Sequence, residues 1–147
     1  MTASPARTKI DVPFRTDAEI RDLVTQFEAC TWPYERWTHR AHLAVATVYL
    51  QQLAFDEALQ RMRASIQEYN RTHNPNGYHE TITVFFLRFI RIFLESHPDR
   101  QSLVANVEEL FERCTMRTPL EYFSPDRLWS AEAKQHWVDP DLKPLPF

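Results

Sequence analysis

Three histidines and a glutamate are the residues of this chain whose types and spacing best suit chemistry. They fall in two motifs, Trp37-Thr38-His39-Arg40-Ala41-His42-Leu43 and Gly77-Tyr78-His79-Glu80-Thr81-Ile82-Thr83, each opening a strongly apolar run. His39 and His42 are three residues apart and so share a helix face. His79 and Glu80 would approach from a second helix. Imidazoles with a carboxylate suit Zn, Fe, Mn or Ni, and helical bundles assemble metal sites from facing helices in this way. A divalent metal ion held by His39, His42, His79 and Glu80 is therefore the first expectation, with open positions that activate water or dioxygen. Without metal, His79 or His42 could act as a general base, Glu80 orienting it. The zincin pattern H-E-x-x-H fails, because Thr83 stands where its second histidine should be. The competing reading makes His39 and His42 satisfied core or capping groups and Glu80 a first-turn acid favoured by the helix dipole.

These residues must be positioned by helices. Thr16-Asp17-Ala18-Glu19 has capping-box spacing, and Ile20, Leu23, Val24 and Phe27 continue it as a first helix to about Cys30. Thr38 is a candidate N-cap for a second helix reaching about Leu53, apolar all round and hence central. Phe55, Leu59, Met62, Ile66 and Tyr69 mark one face of an amphipathic third helix, which stops at Thr72 to Gly77. A fourth helix, from about Tyr78 to Glu95, is the second central one. Leu103, Val104, Val107, Leu110, Phe111 and Cys114 set a fifth, and Ser124-Pro125-Asp126 starts a sixth that should reach about Trp137. The proline-rich tail, 138–147, reads as an extended strap with Leu142, Leu145 and Phe147 as its pins. The expected fold is all-α: one domain over 1–147, a bundle of five or six helices with an N-terminal extension over 1–15.

Short connections make successive helices antiparallel, so helices two and four should place both histidine motifs at one end of the bundle. His39, His42, Ala46, Tyr49 and Leu53 form one stripe on helix two, and His79, Thr83, Phe86 and Ile90 a matching stripe on helix four. Glu80 lies about a hundred degrees from His79, so its part depends on helix rotation. The ends of helices one, three and five bring Cys30, Tyr69, His73, Cys114 and Met116 to the same end. Polar groups above an apolar interior describe a small-molecule pocket, with Trp37, Tyr49, Tyr78, Thr83 and Phe86 as its expected lining. The other singled-out residues have plainer readings: His73 a solvated loop residue, His97 a helix C-terminal group, His136 a surface residue. Arg88 and Arg91 read as snorkelling or ion-paired, and Phe85, Phe86, Phe89 and Phe93 as core.

Composition narrows the classes. The chain has 147 residues, 44% hydrophobic and 13% aromatic with ten Phe, which suits a single ring-rich core. Gly77 is its one glycine, so Gly-rich phosphate cradles and dinucleotide fingerprints are excluded. A net charge of −3 without a basic stripe argues against nucleic acid. No leader and no membrane span is apparent, and Cys30 and Cys114, buried small hydrophobes on this reading, form no disulfide framework. The expectation is a soluble cytoplasmic protein, in which a homo-oligomer is compatible with everything above.

The W-T-H-x-A-H-L and G-Y-H-x-T-x-T pair, with the W-V-x-P-D-L-x-P-L-P tail at Trp137 to Pro146, resembles a family of small bacterial all-helical proteins of unassigned activity. The resemblance covers most of the chain and implies no reaction. DinB-like metal-binding bundles are similar only by analogy: there a lone histidine precedes an H-x-x-x-H pair, whereas here His39/His42 come first and His79 is alone. The leading functional expectation is a small enzyme, a metal-dependent hydrolase or oxygenase, acting on a small molecule. The alternative is a non-catalytic helical protein that binds a partner or apolar ligand, with its histidines structural.

Overall fold

The computed structural model describes residues 8–147; the part of the N-terminal extension before residue 8 lies outside the described residues. Among them are seven α-helices and no strand: α1 Asp17–Glu28, α2 His39–Gln52, α3 Phe55–His73, α4 Glu80–Glu95, α5 Leu103–Arg113, and the short α6 Pro125–Leu128 and α7 Ala131–Gln135. None is long and apolar enough to cross a membrane.

Side chains set the helix starts. Thr16 Oγ1 accepts from Glu19 N at 3.1 Å, while the Glu19 carboxylate reaches back to Arg15 N at 3.2 Å, one residue beyond a standard capping box. Thr38 caps α2 by accepting from Ala41 N, and Ser102 caps α5 by accepting from Ala105 N. Asp17 is used twice: besides opening α1, its carboxylate accepts from Leu103 N and Val104 N at the start of α5, 3.1 and 3.0 Å away. Helix α1 ends in a Schellman turn, with Cys30 N donating to Phe27 O and Thr31 N to Gln26 O. The left-handed residue of that turn is Cys30, φ 62°, where glycine would be usual. In the loop before α4, Asn76 takes the positive φ of 69°. Gly77 is needed for close approach instead, since a Cβ there would sit 2.9 Å from the Asn74 carbonyl oxygen.

Helix α2 packs against α1, α3, α4 and α5, as its all-round apolar surface requires. Its one buried charge, Arg40, is 6% exposed; it ion-pairs with Asp11 at 3.1 Å and with Glu108, and lies over the Phe111 ring. This holds the N-terminal segment across α2 and α5. Phe27, Trp37, Tyr69 and Phe85 fill the interior. Arg88 and Arg91 on α4 cover the Trp137 and Phe55 rings at 4.4 and 4.2 Å.

Three expectations need correction. The sixth helix does not run to Trp137: it breaks at Trp129, and Ser130 caps a new helix by accepting from Ala133 N. His73 is not a solvated loop residue but the last residue of α3, stacked on Tyr69 at 4.2 Å and donating to Cys30 O. In the C-terminal strap Leu145 and Phe147 pack on the core, Phe147 against Phe85 and Phe89, but Leu142 is 57% exposed. The strap is held instead by Asp141, whose carboxylate accepts from Ser124 N and Oγ, and by Leu142 N donating to Tyr122 O.

Candidate functional site

The N-termini of α2 and α4 open onto one cavity of about 490 Å³, so the two motifs do meet. His39, His42, Leu43 and Ala46 line it from α2, Met62 and Ile66 from α3, and Ile82, Thr83, Phe86, Leu87 and Ile90 from α4, with Gly77, Tyr78 and His79 at the turn into α4. The expected stripe of the fourth helix, from His79 through Thr83 and Phe86 to Ile90, faces it in full. Met116, Trp129 and Lys134 complete the lining; Met116 and Trp129 are 52% and 60% exposed and form its rim. Two expected lining residues are elsewhere. Tyr49 is buried away from the cavity, its hydroxyl donating to Glu28 at 2.7 Å, and Trp37 stands behind His42 rather than beside the cavity.

The three histidines differ in what their ring nitrogens are free to do. His79 is the N-cap of α4: its Nδ1 accepts from Ile82 N at 3.2 Å, and its Nε2 donates to the Leu128 carbonyl at 2.7 Å. Both nitrogens are thus committed, and burial followed by the nearby Lys134 charge lowers its pKa despite the Leu128 carbonyl. His39 Nε2 donates to Cys114 O at 3.3 Å, and burial lowers its pKa too. His42 Nδ1 lies 2.7 Å from Thr38 O and must be the donor, because a carbonyl only accepts. Its Nε2 therefore carries the lone pair, and no described residue hydrogen-bonds to it. The ring packs against Trp37, centroids 3.8 Å apart with the planes tilted by 31°, and burial pushes its pKa down to about 4. His42 is consequently a neutral, oriented acceptor at neutral pH.

Glu80 is turned away. Its carboxylate takes two bonds from Arg63 on α3, at 2.9 and 2.6 Å, and one from the Tyr78 hydroxyl at 2.5 Å, in a separate recess behind Tyr78. Burial alone would raise this carboxyl, but Arg63 and Tyr78 outweigh it and hold it below the usual range. The rotation left open by the sequence thus sends Glu80 to an ion pair, not to the histidines. Among the described residues no three His, Cys, Asp or Glu side chains gather closely enough to hold a metal ion. The donor chemistry agrees: His79 would have to release its cap or Leu128, and Glu80 would have to leave Arg63.

Cys114 is close to His39, Sγ to Nε2 3.7 Å, but burial pushes its thiol up to about 12, so the pair holds no thiolate at neutral pH. Trp129 and Lys134 escaped the sequence reading because they lie at and beyond a helix break not foreseen there. The renewed cap at Ser130, four residues before Lys134, was the available signal.

His79→Ala is expected to destabilise the protein by about 1–2 kcal/mol, through the lost cap and the unpaired Leu128 carbonyl. His79→Asn, which keeps a capping oxygen, should recover about half of that in urea denaturation. Comparison with family models, with curated proteins and with solved structures gave no match, so the site is interpreted from its own residues.

Proposed function

We propose that this protein binds a small, mostly apolar molecule between α2, α3 and α4, with His42 Nε2 accepting a hydrogen bond from it. One observation carries the reading: a cavity of about 490 Å³ is lined by His42, whose ring is held by Thr38 and Trp37 and whose Nε2 has no hydrogen-bond partner among the described residues. That volume lies within the roughly 300–1,000 Å³ range of small-molecule sites, and an apolar wall with few polar groups is their usual composition. Binding is favoured over general-base catalysis by His42, because a base with a pKa near 4 has little driving force for proton abstraction at neutral pH. A Zn, Fe, Mn or Ni site is the less supported reading: His39 Nδ1 and His42 Nε2 would need no rearrangement, but His79 would have to give up its cap or Leu128, and Glu80 its ion pair with Arg63.

The test uses N-phenyl-1-naphthylamine, a neutral aromatic fluorophore with one N–H donor. It should bind in the micromolar range, and His42→Asn, which can keep the bond to Thr38 O but lacks Nε2, should weaken it about tenfold, the worth of one good buried hydrogen bond. His79→Ala should change the affinity far less than it changes stability. Absence of binding to the native protein, or equal binding by His42→Asn, would overturn the proposal. Stoichiometric metal in the purified protein, lost with His42→Asn, would favour the metal reading instead.

A further inference from the structure

The charge inventory of the same cavity points to the class of its ligand. None of its lining residues is Asp or Glu. Glu80, next in sequence to His79, has its charge neutralised by Arg63 and is screened from the cavity by Tyr78. The lining hydroxyls have spent their protons: Thr83 Oγ1 donates to His79 O, and Tyr78 donates to Glu80. His79 has no free nitrogen, and His39 and His42 are uncharged at neutral pH. What remains is a single formal charge, the Lys134 ammonium on α7, which borders both this cavity and the recess that holds Glu80 and is held in place by donating to the Asn76 carbonyl. An ammonium has three donors, so it keeps capacity for a ligand.

We infer that the ligand is an organic monocarboxylate that also carries one O–H or N–H donor: its apolar body lies among Leu87, Phe86 and Ile90, the donor meets His42 Nε2, and the carboxylate sits at Lys134. This rests on the small-molecule reading above. A cation would enter a cavity that offers it no counter-charge, which is unfavourable where water is excluded. A phosphate monoester would bring close to two negative charges to one ammonium. A neutral ligand would leave the positive rim unused. The carboxylate is the group that matches one rim charge and an otherwise uncharged, apolar interior.

The experiment compares decanoate, 1-decanol and decylammonium as competitors of N-phenyl-1-naphthylamine on the full chain. Decanoate should displace the probe at about tenfold lower concentration than decanol, and decylammonium should be the weakest. In Lys134→Gln the acid-to-alcohol preference should fall to about one, and Lys134→Arg should restore it. Lys134 is exposed and carries no core packing, so both variants should fold. Equal competition by acid and alcohol, or a preference that survives in Lys134→Gln, overturns the carboxylate inference while leaving the pocket reading intact. Failure of the probe and of all three competitors to bind overturns both.

Discussion

Phe27→Ala should lower the unfolding free energy by about 3–5 kcal/mol and weaken probe binding several-fold. Phe27 is fully buried, stacked on the Trp37 indole with centroids 4.3 Å apart and packed against Tyr69 at 5.2 Å. The same indole packs, tilted, against His42. Truncation therefore removes core area and also unloads the ring that fixes the proposed acceptor. Phe93→Ala provides the control: Phe93 is buried, packs against His97 with Arg100 and Arg113 over its ring, and does not line the cavity. Both variants should show a similar loss in urea denaturation and a melting temperature lower by roughly 10 °C. Only Phe27→Ala should change the affinity for N-phenyl-1-naphthylamine; an unchanged affinity would show that the ring stack does not position His42.

A second large effect should appear as a loss of stability on mild acidification. The unfolded chain takes up a proton at His42 near the ordinary value of 6.5, whereas the folded protein resists it until about 4. The unfolded state therefore binds more protons between these values, and unfolding becomes easier as pH falls through that window. His42 alone should remove about 2 kcal/mol between about pH 7.5 and pH 5, approaching 3 kcal/mol near pH 4. His39 and His79 are shifted the same way and add to the slope. The carboxyls of Asp17 and Glu80 are lowered from ordinary values of 3.8 and 4.5, so their loss of stability begins at about pH 5 and falls mainly below the histidine window. Urea denaturation at the two pH values should show the difference, and His42→Asn should reduce it by about 2 kcal/mol. An unaltered pH dependence in that variant would mean that His42 is not held neutral by the fold.

What could be read in advance follows the range of the interaction concerned. Thr38 as the cap of α2, the central position of α2 and α4, and the meeting of their N-termini depend on local capping, hydrophobic period and short connections. The role of His79 was hidden because the boundary of α4 falls two residues later than Tyr78, which turns a first-turn side chain into a cap, and histidine is not a usual capping residue. Glu80 depended on a partner, Arg63, seventeen residues earlier on another helix, and no pattern within the motif contains that information. Trp37 was displaced from the cavity lining by Phe27 and Tyr69, whose rings hold it inside the core. The break at Trp129 was masked because Leu128, Trp129 and Ala133 continue an apolar spacing across it, while Ser130 restarts the capping.

The double use of Asp17 bears on the order in which the chain assembles. Its bond to Leu103 N spans 86 residues, a loop whose closure costs about 4 kcal/mol of chain entropy, against the few kcal/mol that two charge-assisted hydrogen bonds return. Such a contact cannot lead; it forms once α2 has already brought α1 and α5 together. Its contribution then falls on the native side of the folding barrier, so that weakening it speeds unfolding and leaves the folding rate nearly unchanged. Asp17 is in this sense a latch closed last, governing how long the folded bundle persists rather than how quickly it is reached.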